Sequence, residues 1–141
     1  CPSCDLSRAK LSKEDLSGRN LTEADLTQAY LNGANLSGAN LTNAKLTGAL
    51  LGTANLSKAN LTWADLSGAN LVSADFTGAI LTWAELIGVN LTWAVLTEVN
   101  MTGADLNEVN LSGVNLEGAN LTETIFCETK MPNGTINNSS C

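Results

Sequence analysis

A large apolar residue stands at every fifth position from Leu6 to Phe126, giving 25 centres without a gap. Of these 22 are Leu; the others are Phe76, Met101 and Phe126. Two residues before each centre, 17 of the 25 slots hold Ala. One phrase, Ala-(Asn/Asp)-Leu-(Ser/Thr)-x, recurs around them, as in Ala34-Asn35-Leu36-Ser37-Gly38. A period of five suits neither a helix, which needs spacing near 3.6, nor a flat strand, which needs 2. On a helix, residues five apart are rotated by a net ~140°, so the Leu side chains would scatter around the axis and leave no stripe to bury. What remains is a coil in which each five-residue unit makes one short side and one bend. Leu and Ala, two apart, then share the inward face of an extended segment. One such unit cannot bury its Leu alone, whereas stacked coils bury a continuous column.

The unbroken run of units resembles the pentapeptide-repeat family, and the match covers residues 4–128. The resemblance implies an all-β fold, a right-handed quadrilateral parallel β-helix with four units per coil. Column spacing in the chain supports a coil of 20 residues. Thr22, Thr42, Thr62, Thr82, Thr102 and Thr122 form an unbroken column, and Asn20, Asn40, Asn60, Ile80, Asn100 and Asn120 form its neighbour. Twenty-five units give about six coils and, at about 4.8 Å per coil, a rod roughly 30 Å long. The expected organisation is an N-terminal cap at 1–5, the β-helix at 6–126 and a C-terminal capping tail at 127–141.

Composition excludes several chemistries. There is no His, which removes a Ser-His-Asp triad and any His-ligated metal. With three Trp, one Tyr and two Phe, the core must be aliphatic. No run of 18 apolar residues offers a membrane span, and no signal peptide is expected within these residues. Residues 1–70 hold six basic and six acidic residues; residues 71–141 hold Lys130 against eight acidic ones, so the whole net charge of −7 lies in the second half. Direct nucleic-acid binding, which needs a basic patch, is not expected.

The first inward slots depart from Ala: Cys4, then Glu14 and Arg19, two opposite charges that read as a polar plug at an open first coil. Later Val replaces Ala at 89, 99, 109 and 114, which predicts a fatter interior, and Thr124 ends the Ala series. Met131-Pro132-Asn133-Gly134 is a turn signal ahead of a polar tail from Thr135 to Cys141, expected to fold over the last coil. Cys1 and Cys4 lie at one end of the expected rod and Cys127 and Cys141 at the other. That distance rules out a four-Cys zinc site and leaves Cys1–Cys4 and Cys127–Cys141 as the disulfides. Cysteines confined to the two ends suggest an oxidising compartment. The opening Cys-Pro-x-Cys-Asp-Leu, with Met-Pro-x-Gly and Cys at the end, resembles exported pentapeptide-repeat proteins of photosynthetic bacteria. An extracytoplasmic site, periplasm or thylakoid lumen, is therefore expected, with the cytoplasm as the alternative. The Asn-x-Ser/Thr sequons and the Gly at ten turn slots are by-products of the repeat, not glycosylation sites or phosphate loops.

The surface columns carry the functional reading. Trp63 and Trp83 share a turn slot 20 apart and should stack on the Thr side; Trp93 falls on the opposite side with Tyr30 and Leu50. Together they form a possible interaction surface. Glu85, Asp105, Glu108 and Glu128 belong to one acidic side, and Asp75, Glu98 and Glu117 to the side opposite. Carboxylates that project from a convex rod do not make a water-excluding catalytic pocket, so no enzyme, cofactor or metal site is expected. The expected function is a non-enzymatic scaffold or interaction module, monomeric, with a protein partner that the sequence does not name. Two alternatives come from other classes. Some members of the resembled family mimic DNA and act on DNA gyrase; the Thr column could instead bind ice or another regular surface.

Overall fold

The computed structural model describes residues 1–141. Residues 20 apart are paired in parallel along four columns. Side 1 runs Asp5, Asp25, Lys45, Asp65, Glu85, Asp105, Ile125. Side 2 runs from Lys10 through Tyr30 and Leu50 to Asn90 and, above a gap, from Asn110 to Lys130. Side 3 runs from Asp15 to Asn115 and side 4 from Asn20 to Asn120. The chain is a right-handed, four-sided parallel β-helix with 20 residues per coil. Each side bridges its neighbour through one residue, so regular strands are confined to the C-terminal hairpin, β1 (Thr129–Lys130) and β2 (Ile136–Asn137).

The repeat phrase explains each corner. The amide of the Ala slot donates back to the carbonyl of the preceding Leu, as from Ala64 to Leu61 (3.0 Å), closing a tight turn. The third residue of that turn has positive φ at all 26 slots from Ser3 to Glu128, and sixteen of these are not Gly. Left-handed backbone is costly for such residues, so the repeat must hold it by other means. One is the ladder: Leu61 donates to the Ile80 carbonyl (2.7 Å) and Ile80 to that of Ala59 (2.9 Å). Another is the residue before each Leu. An Asn or Asp there accepts the amide two residues on, as Asn60 does from Thr62 (3.0 Å) and Asp75 from Thr77 (2.9 Å). The short side chain forms an Asx-turn, which accounts for Asn and Asp in that slot.

Leu and Ala ladders fill the interior. From Leu21 to Leu111 every centre and every Ala-equivalent slot is buried, in one continuous apolar cluster. Ala64, Ala69 and Ala84 lie fully inside beside Leu66, Leu71 and Leu86. Each buried Leu contributes roughly 1.5–3 kcal/mol. The Val substitutions alter the frame. Val89 and Val109 occupy consecutive coils on side 2, and there Asn90 and Asn110 do not pair. The amides of Leu91, Trp93 and Leu96 make no ladder bond, and the Val89 and Val99 turn bonds lengthen to 3.3 and 3.4 Å. Two extra methyls at an Ala-sized slot push the strands apart.

Candidate interaction surface

At the ends of the rod, Cys1 is joined to Cys4 and Cys127 to Cys141. Glu14 and Arg19 are solvent-exposed at the first coil. Beyond Phe126 the tail turns back. Met131 accepts from Gly134 and donates to Thr135, β1 pairs with β2, and the Ser140 amide donates to the Phe126 carbonyl (3.0 Å). Asn138 caps the Glu128 amide (2.7 Å). The disulfide therefore fastens a tail already bonded to the last side.

No pocket opens on the surface, and no group of three His, Cys, Asp or Glu is placed to hold a metal ion. The chemistry is displayed outward. Trp63 and Trp83 stand at the corner between sides 4 and 1 in consecutive coils, rings stacked at 5.6 Å and 14°. The Trp63 amide donates to the Thr82 carbonyl (3.0 Å), so the 20-residue register puts them side by side. They are 58% and 39% exposed. Half a coil further on, at the diagonal corner, Trp93 is 77% exposed. Tyr30 and Leu50 pair on side 2, with Asn70 and Asn90 between them and Trp93, so the structure brings the first two together and leaves Trp93 apart.

The acidic residues divide by what they do for the backbone. Asp75 accepts the amide and hydroxyl of Thr77, and Asp105 accepts the amide of Asn107. Glu85, Glu98, Glu108, Glu117 and Glu128 are exposed. Asp65 accepts from the Thr47 hydroxyl (2.7 Å) and the Ser67 amide (2.9 Å). Partial burial pushes its carboxyl up, but those bonds outweigh burial and hold it below the ordinary aspartate value. Hydrogen bonds from Ser7, Ser17 and Thr27 likewise lower Asp5, Asp15 and Asp25. The Thr column is also a set of caps: Thr22, Thr42, Thr62, Thr102 and Thr122 each donate their hydroxyl to the Asn two residues before.

The list of apolar surface residues read from the sequence lacked Ile80, Ile87, Val95 and Ile125, all exposed. Their signal was present. Ile80, Val95 and Ile125 interrupt the Asn/Asp slot, and each forfeits a turn cap for an exposed apolar side chain.

A family model described as "Pentapeptide repeats" matches in eight copies, across residues 3–38, 20–57, 54–92, 74–113 and 90–126. Among solved structures, a pentapeptide repeat protein from the Arabidopsis thaliana thylakoid lumen is 37% identical, with a TM-score of 0.60. That alignment covers 71% of this chain and 66% of the lumen protein, so the chain spans just under two thirds of its length. QnrB1, a plasmid-mediated fluoroquinolone resistance protein, is 18% identical over 92% of this chain and 71% of its own, with a TM-score of 0.76. At that identity the likeness is one of fold. No curated protein sequence gives a significant match.

Proposed function

The chain belongs to the pentapeptide-repeat family, and from that premise we propose that it is a non-enzymatic interaction module working outside the cytoplasm. Members of this family are generally structural or interaction proteins rather than enzymes. One observation carries the reading: large apolar side chains stand partly or largely exposed at corner slots outside the core. Trp63, Trp83 and Trp93 occupy left-handed turn positions, with φ of 60°, 58° and 62°. A bulky residue is strained there and buries none of its ring in the core. Exposed aromatics of this kind suit contact with another protein. The rod supplies rigidity, since backbone and core are saturated along most of its length, and the partner meets a surface formed before it arrives.

Two features support the extracytoplasmic site. All four cysteines are in disulfides, at opposite ends of the rod. Such bonds persist in oxidising compartments. A relative sharing 37% identity comes from the thylakoid lumen. The test has two arms. Affinity capture with the folded chain, from an extracytoplasmic fraction of its host, should yield a partner that binds again when purified. Alkylation of the native protein before digestion should find all four thiols protected. Free thiols in the native protein would overturn the location, and absence of any partner that rebinds would overturn the module.

A further inference from the structure

We propose that the Trp63–Trp83 corner, with Glu85 beside it, docks an arginine-bearing segment of a partner protein; the inference rests on the interaction-module reading and names the partner's chemistry. The two indoles are held in place rather than merely exposed. They stack on each other, and Trp83 lies over the turn at Gly103, where any Cβ would fall inside its ring. Gly103, at φ 66°, is buried beneath it. An ordered aromatic surface needs less ordering on binding than a mobile one.

The flanks of the corner define the ligand. Two residues beyond each Trp, side 1 carries Asp65 and Glu85 as paired neighbours, with Asp105 next in the column. The fold uses both oxygens of Asp65 and one of Asp105. Glu85 is exposed and accepts no bond from the protein. It also stands in a capping slot without capping, so the Ile87 amide is left without the usual acceptor. On the side before the corner, Ile80 forfeits the cap of Thr82 in the same way. Both slots flanking Trp83 thus hold residues that do nothing for their turns, one apolar and one a free carboxylate. Between residue 71 and Lys130 there is no basic residue to neutralise the second half of the chain.

A guanidinium meets this arrangement best. Trp83 has Trp63 on one face and Gly103 on the other, so the indole left open for stacking is that of the more exposed Trp63. A planar guanidinium can stack there while N–H forks of the same segment engage the Glu85 carboxylate, and it carries a weakly held hydration shell. A lysine ammonium offers a point charge with no face to stack. Trp93 supplies a contrast within the molecule. The slot two residues beyond it holds Val95, and the carboxylate beneath, Asp75, already accepts two bonds from Thr77 through one of its oxygens. It offers an indole beside an acid already tied to its turn, not a wholly free one.

The test is a titration of the folded chain with a blocked Gly/Ser peptide carrying two arginines, and with its lysine twin, followed by indole N–H shifts. The arginine peptide should shift Trp63 and Trp83, bind at least threefold tighter than the lysine twin, and leave Trp93 unmoved. Glu85→Gln and Trp83→Ala should each weaken binding at least fivefold; Trp93→Ala should not change it. Glu85→Gln is exposed and isosteric, so it decides the matter even if Trp83→Ala disturbs the stack. Equal affinity for both peptides, indifference to Glu85→Gln, or no shift at millimolar peptide would overturn the proposal. If a captured partner rebinds while the arginine peptide does not, this surface falls and the module stands. If the peptide binds as described and no partner is found, the module falls while the corner keeps its affinity for arginine.

Discussion

Asp5, Asp15, Asp25 and Asp65 fill the same slot as the many Asn residues, because either side chain places an oxygen where the amide two residues on can reach it. The two differ in charge. Hydrogen bonds lower the carboxyls of these four in the folded state, so the ionised form favours folding. Their stabilisation is complete above the unfolded value near pH 4 and is lost as pH falls through the lower folded values. Asp5 and Asp15 are exposed and Asp25 and Asp65 only partly buried, so water screens them and the loss should be shallow. Replacing all four by Asn keeps every cap and removes the titration. Melting temperatures from pH 6 to 2 should fall more steeply for the natural chain than for that variant. Parallel curves would refute the assignment. Asn107 raises a separate point: its side-chain oxygen is buried without a partner. Asn107→Thr should supply a hydroxyl that can donate to Asp105, as Thr77 donates to Asp75, and stabilise by about 1 kcal/mol. Denaturant midpoints at constant m-value would measure this.

Among the elements, two places depart from the repeat. The stacked Val89 and Val109 interrupt the ladder on side 2, and from there through the next corner to the start of side 3 the amides of Leu91, Trp93 and Leu96 lack inter-coil bonds, whereas Leu51, Thr53 and Leu56 two coils earlier have theirs. Exchange protection follows such bonds, so the first three amides should exchange well ahead of the second three. Equal protection would mean that the coils close in solution. The other departure is the tail. Cys127 and Cys141 are 14 residues apart, and closing that loop removes about 3 kcal/mol of unfolded-chain entropy in the chain-entropy model. Apart from the disulfide the tail is held by the β1–β2 pairing, the bond of Asn138 to the Glu128 amide and that of the Ser140 amide to Phe126, and its residues from Asn133 onward are largely exposed. Cys141→Ser should therefore free residues beyond Pro132 to proteolysis while the repeat keeps its fold. A protected tail in that variant would show that the hairpin alone holds it.

For the whole molecule, stability comes from columns rather than from a centre. Every coil presents nearly the same Leu and Ala to its neighbours, so an error at one level cannot be relieved by repacking elsewhere. Ala69→Phe, deep in the regular half, should overpack two adjacent coils and destabilise by about 1–3 kcal/mol or more. An unchanged melting temperature would show that the interior can widen there, as it does at Val89 and Val109. The same construction explains why all functional chemistry lies outside. Inward slots are consumed by the ladder, and corners and bridge slots are the positions free to vary.

The five-residue period by itself determined the coil and the inward pairing of Leu with Ala, and the 20-residue spacing of the Thr and Asn columns supported its circumference and, with it, the stacking of Trp63 on Trp83. Each follows because the backbone repeats without interruption, and one unit's geometry is the geometry of all. The interruption at Val89 and Val109 was legible only as a wider interior, since whether two methyls swell the core or break the ladder depends on what the adjacent coil does. Exposed Ile80 and Val95 were visible as letters, but their meaning required knowing that the slot caps a turn. The free carboxylate of Glu85 among engaged neighbours and the bed that Gly103 makes for Trp83 were decided by the tertiary structure. They are relations between side chains on different coils, and a pattern along the chain fixes which coil a residue joins without fixing where its side chain comes to rest.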